Sequence, residues 1–99
     1  MKTKISNLAT VKRAGEQVSC DLPGEVIILG LKSGAYYGLD GIGALVWNLI
    51  EEPKTFEEIC SSVMVKYNIE SEHCENDLIT LLEGLEEQGL LGIKNEIHK

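Results

Sequence analysis

Apolar residues in this chain follow two spacings, and the change from one to the other falls near residue 40. Before it, they come in short runs broken by turn residues. Val26-Ile27-Ile28-Leu29 is β-branched and nearly unbroken, which marks a strand covered on both faces or central in a sheet. Pro23-Gly24 precedes this run: proline presets φ at the second turn position and glycine accepts positive φ at the third. Lys32-Ser33-Gly34 supplies the next hairpin turn. The pattern predicts three strands, Gln17 to Leu22, Glu25 to Leu31 and Ala35 to Leu39, joined as an antiparallel meander. The third strand is then a free edge unless something covers it. The first 15 residues read as an extended arm with at most a short strand.

After residue 40 the spacing turns helical. Asp40 is placed as the N-cap of a first helix with Ile42, Leu45, Val46, Leu49 and Ile50 on one face, stopped by Pro53. Thr55-Phe-Glu-Glu58 is a capping box. It opens a second helix whose stripe is Phe56, Ile59, Cys60, Val63, Met64 and Tyr67 and which ends at Asn68. Ser71 is placed as the cap of a third helix, with Glu72 and Glu75 in its first turn, where the helix dipole favours acids. Its core stripe is Cys74, Leu78, Leu81, Leu82 and Leu85, and Gly89 stops it. Leu90, Leu91 and Ile93 pack down beyond, and the tail frays from Lys94. The expected fold is α+β: a three-stranded antiparallel sheet followed by three helices, winged helix-turn-helix-like with the strands first. It forms one domain over residues 1–99, with its ordered core at about 17–93.

Charge narrows the function. The net charge is −7, and it lies in the second half. Residues 1–50 hold five Lys/Arg and four Asp/Glu, while 51–99 hold four Lys and twelve acids. Residues 70–88 carry seven acids and neither Lys nor Arg, so a winged-helix DNA reader, which needs a cationic recognition helix, is disfavoured. No apolar stretch is long enough to span a bilayer, and the N-terminus has no continuous apolar segment of the secretory kind. The three cysteines, Cys20, Cys60 and Cys74, are odd in number and lack CxxC spacing. They read as reduced, inert core thiols in a cytoplasmic protein.

Catalytic chemistry has few candidates. His98 lies in the tail. His73, Cys74 and Asp77 share one helical stretch, but adjacent residues point about 100° apart, so His73 reads as a solvent-facing neighbour of a core cysteine. Gly38, Gly41 and Gly43 match neither a dinucleotide fingerprint nor a P-loop. No metal, no cofactor and no enzyme activity are expected. Binding through backbone remains: the third strand can accept another strand by main-chain hydrogen bonds. Tyr36 and Tyr37 point to opposite faces there. Gly84, mid-helix, costs about 1 kcal/mol against alanine. The bland account is tolerance of a weak residue; the sharper one is a groove, in which Asp77, Thr80, Leu81 and Gly84 form one stripe as one wall and the third strand is the other.

Taken in order, VIILGLKSGAYYGLDGIGALVWNLI, TFEEI and NDLITLLEGLEEQGLL resemble the PqqD-like family. They match its G-x-Y-Y-x-L-(N/D)-x-x-G strand, its T-x-x-E-I helix start and its D-(V/L)-x-x-(L/F)-L-x-x-L-x-x-x-G-(L/W)-L helix over about residues 17–91. Asp40 stands where Asn is commoner, and Gly84 replaces the usual helix former. The resemblance implies a recognition element for ribosomally made, modified peptides (a RiPP recognition element), which binds a precursor's leader as a fourth strand in a cleft with the third helix. Carried onto this chain, the peptide-binding residues are Ala35, Tyr36, Tyr37, Gly38 and Leu39 on the strand and Asp77, Thr80, Leu81 and Gly84 on the helix. A stand-alone domain of this length is most similar to the small half of the split B protein of lasso-peptide clusters. That implies a precursor leader, a cysteine-protease leader peptidase and an ATP-dependent cyclase as partners. The alternative within the family is a peptide chaperone for a radical-SAM maturase.

Overall fold

A computed structural model describes residues 5–95. The element order is β1 (Thr10–Arg13), β2 (Gln17–Leu22), β3 (Glu25–Gly30), β4 (Tyr36–Asp40), α1 (Ile42–Leu49), β5 (Lys54–Thr55), α2 (Phe56–Tyr67), α3 (Ser71–Glu87) and β6 (Leu91–Lys94). The fold is α+β, as expected, and the meander is present as the sheet β2-β3-β4 with β3 central. The structure adds a second antiparallel sheet, β5-β1-β6. The segment expected as an arm supplies its middle strand, and Leu91–Lys94, expected only to pack down before a tail from Lys94, forms one of its edges. Val11 is fully buried there, between Lys54 on one side and Ile93 on the other. His98 lies outside the described residues.

Two expected caps resolve differently. The first helix is capped by Gly41, not Asp40, which ends β4. The corner needs φ 55°, ψ −127°, a conformation that glycine adopts without steric penalty. Glu70 precedes the third helix and Ser71 is its first residue; no side chain caps that end. The second helix starts as predicted: the Thr55 hydroxyl accepts from Glu58 N–H at 3.1 Å, and Thr55 N–H donates to the Glu58 carboxylate at 2.9 Å. Its next open donors, Phe56 and Glu57 N–H, bond the carbonyls of Ala9 and Asn7, so the N-terminal segment closes what a helix start leaves unsatisfied. Asn68 ends this helix in the left-handed region. Gly89, at φ 78°, lets Leu90 N–H return to Leu85 O and Gly89 N–H to Glu86 O, a Schellman stop that sends the chain straight into β6.

The core lies between the two sheets and the helices. Val26 and Ile28 from β3, Val46, Trp47 and Ile50 around α1, Phe56, Ile59 and Val63 from α2, and Leu78 and Leu82 from α3 are all essentially buried. Trp47, absent from the predicted stripe, is the largest of these. Its indole N–H donates to Ser19 Oγ at 3.2 Å, and the Arg13 guanidinium stacks 4.5 Å above its ring while donating to its carbonyl at 2.8 Å. Tryptophan can be fully buried because its one donor is satisfied.

Candidate functional site

The hydrogen-bond phase of the sheet decides which backbone groups are open. Gly30 N–H donates to Ala35 O at 2.9 Å, and residues 25–29 pair with 36–40 in the same register. Bonded and non-bonded pairs alternate in an antiparallel ladder. Tyr37 and Leu39 therefore bond Ile28 and Val26, while the N–H and C=O of Tyr36, Gly38 and Asp40 point away from β3. β4 is an edge of its sheet, with no further strand among the described residues. Ala35 departs from its expected role: its carbonyl is taken by Gly30 and its N–H by Ser33 Oγ, so it belongs to the turn. Asp40, left out of the sequence-derived set, supplies the third open pair of groups.

Side chains alternate as the pleat requires. Tyr36 is 72% exposed on the outer face, whereas Tyr37 and Leu39 are half-buried on the inner one. Tyr37 Oη donates to Gln88 Oε1 at 3.2 Å, which ties β4 to the C-terminal end of α3. Gln88 continues the stripe Asp77, Leu81 and Gly84 at helical spacing, and sequence reading missed it because it sits beyond the last apolar repeat. A cavity of about 570 Å³ opens beside this contact, lined by Gly30, Lys32, Ser33, Gln88, Gly89 and Leu90 among others.

The helix residues differ in what they offer. Gly84 is exposed, and a Cβ built on it meets no atom within 4 Å, so the helix surface is open at that point. Leu81 is half-buried and packs on the core. Asp77 is exposed, with its carboxylate 3.7 Å from His73 Nε2. The Thr80 hydroxyl donates back to Asn76 O at 3.2 Å, so its polar end is occupied. The structure joins β4 to α3 through Tyr37 and Gln88; no direct bond links Asp77 or Thr80 to β4 among the described residues.

Chemically reactive groups lie elsewhere. Cys60 and Cys74 are buried between α2 and α3, with Cys74 Sγ 3.9 Å from the Cys60 carbonyl. Burial, reinforced by the neighbouring Cys74 thiol and Glu75, pushes the Cys60 thiol up to about 12; burial likewise raises Cys74. Such thiols are poor nucleophiles. Cys20, expected in the core, is exposed. It lies on the outer face of β2 opposite Ile27, and no described element covers that face. Among the described residues, no three His, Cys, Asp or Glu side chains converge as metal ligands, and no helix is long and apolar enough to cross a membrane.

Comparison with known proteins identifies the family of the chain. The family model described as coenzyme PQQ synthesis protein D (PqqD) matches residues 25–91. TbiB1, solved in complex with the TbiA(beta) leader peptide, is 35% identical, with 90% of this chain and 94% of that one covered and a TM-score of 0.72. A lasso peptide synthetase B1 complexed with the leader peptide shares the fold at 18% identity, covering 83% of this chain and 96% of that one, with a TM-score of 0.68. Comparison with curated proteins gave no match.

Proposed function

The chain belongs to the PqqD family, and from that premise we propose that it binds the leader of a ribosomally made precursor, in lasso-peptide biosynthesis, by adding it as a strand to β4. The observation that carries this reading is the open β4 edge, tied to α3 through Tyr37 and Gln88. An incoming strand meets the donors and acceptors of Tyr36, Gly38 and Asp40, which give affinity through backbone, while its alternate side chains meet Tyr37, Leu39 and the Leu81–Gly84 wall, which give selectivity. The similarity to TbiB1 supports the lasso setting over a radical-SAM partnership. The domain performs no bond-making or bond-breaking itself. It presents the leader, in the cytoplasm where the precursor is made, to a separate cysteine leader peptidase and then an ATP-dependent cyclase.

The test uses the purified chain with a labelled TbiA(beta) leader peptide. Fluorescence anisotropy is expected to report saturable binding, and mass spectrometry an unchanged peptide. Cleavage by the domain alone, lost in Cys20→Ala or Cys60→Ala, would contradict the reading.

A further inference from the structure

Among the described residues, the sheet β2-β3-β4 has a second open edge, and β4 does not account for it. Leu31 N–H donates to Glu16 O at 3.0 Å, which sets the phase on this side: Val18, Cys20 and Leu22 bond β3. The N–H and C=O groups of Gln17, Ser19 and Asp21 therefore face outward along a strand whose residues are exposed from Val18 to Leu22. Natural edges are blunted by charged residues, lysine above all, by proline or by a bulge. β2 holds neither lysine nor proline, its one charge is Asp21, and its register with β3 runs unbroken over all six positions. Its outer face is apolar, with Val18 53% and Leu22 45% exposed beside Cys20.

We propose that this edge is a self-association surface on which a second copy of the chain lays its own β2, antiparallel, about a two-fold axis at Cys20. Symmetry and side-chain chemistry select the occupant and the register together. With the axis at Cys20, Val18 stands opposite Leu22 of the partner subunit, and the reciprocal pair repeats the contact. Asp21 faces Ser19 of the partner subunit, so no like charges stand directly opposite each other. An axis at Ser19 instead sets Leu22 against Glu16 of the partner subunit and loses both apolar pairs. Because Cys20 bonds β3, it is a non-hydrogen-bonded position toward the partner, where paired Cα atoms approach to about 4.5 Å. The result is a continuous six-stranded sheet with a β4 edge at each end. Its outer face carries the rows Tyr36-Leu29-Val18 and Ile27-Cys20 into their symmetry mates. The leader edges point away from one another, so self-association and leader binding are independent.

Analytical ultracentrifugation over a concentration series is expected to show the mass rising from the 10.9 kDa of one chain towards twice that value. Val18→Lys places a charge against Leu22 of the partner subunit twice per dimer and is expected to weaken association about tenfold or more. Tyr36→Lys, the equivalent change on the β4 edge, leaves it unchanged. Mild oxidation, in which two Cys20 thiols give up two protons and two electrons to added diamide, is expected to trap a covalent dimer that Cys20→Ser abolishes. Circular dichroism confirms that each variant is folded. A chain that stays monomeric at every soluble concentration overturns the proposal. So does association that survives Val18→Lys, or that is lost in Tyr36→Lys instead, which would assign the contact to β4. None of these measurements involves a leader, so their outcome stands apart from that of the peptide-binding reading.

Discussion

At the scale of single residues, burial divides side chains that the sequence presents as alike. Three cysteines sit in apolar surroundings in the sequence, yet two are enclosed by α2 and α3 and one lies on an uncovered strand face. Periodicity says which side of an element a residue occupies but not whether another element covers that side. A thiol reagent is expected to label Cys20 promptly in the native protein and Cys60 and Cys74 only in denaturant; Cys20→Ser should remove the prompt phase. The buried pair also links stability to pH. The unfolded Cys60 thiol begins to ionise at its ordinary 9.0, while the folded one holds its proton to about 12. Its contribution is therefore complete below pH 9 and is lost as pH rises from 9 towards 12. Urea midpoints at about pH 8 and about pH 10.5 should fall less in Cys60→Ala than in the wild type. Gly84 gives a third test. Because its Cβ position is empty, Gly84→Ala should fold and gain up to about 1 kcal/mol in helix propensity. Gly84→Leu should fold yet bind leader at least about tenfold more weakly, about 1.4 kcal/mol. Equal affinity for a folded Gly84→Leu protein would move the groove off this helix face.

At the scale of elements, what was legible depended on how far the deciding partner lay along the chain. β2, β3 and β4 were readable because turn residues and alternation are local, and α2 because its capping box is local. β1, β5 and β6 were not. They have four, two and four residues, and each is a strand only because Thr10 meets both Thr55 and Lys94. The candidate site divides the same way. Its strand is proposed from the exposed-edge logic, but the phase that frees Tyr36, Gly38 and Asp40, and spends Ala35 in the turn, depends on a hydrogen bond no pattern reveals. Gly38→Pro removes one open N–H and should cut leader binding sharply, while Gly38→Ala, whose Cβ would sit 3.7 Å from Ile27 Cδ1, should leave it nearly intact. Equal binding by both would place the peptide elsewhere.

At the scale of the whole molecule, charge and open backbone act together. The −7 charge, concentrated in the second half and on α3, favours a leader that presents Lys or Arg towards that helix. Such contacts are partly exposed, so affinity should weaken modestly as salt rises, and DNA should not compete. The central claim, that the leader becomes a strand of this sheet, is tested most directly by amide hydrogen exchange followed by NMR with and without saturating leader. The amides of Tyr37 and Leu39 are bonded to β3 in the free protein and should be protected in both states. Those of Tyr36, Gly38 and Asp40 should exchange quickly alone and become protected on binding. Protection that appears instead at Gln17, Ser19 and Asp21, or no new protection at the β4 positions in a saturated complex, would contradict the account.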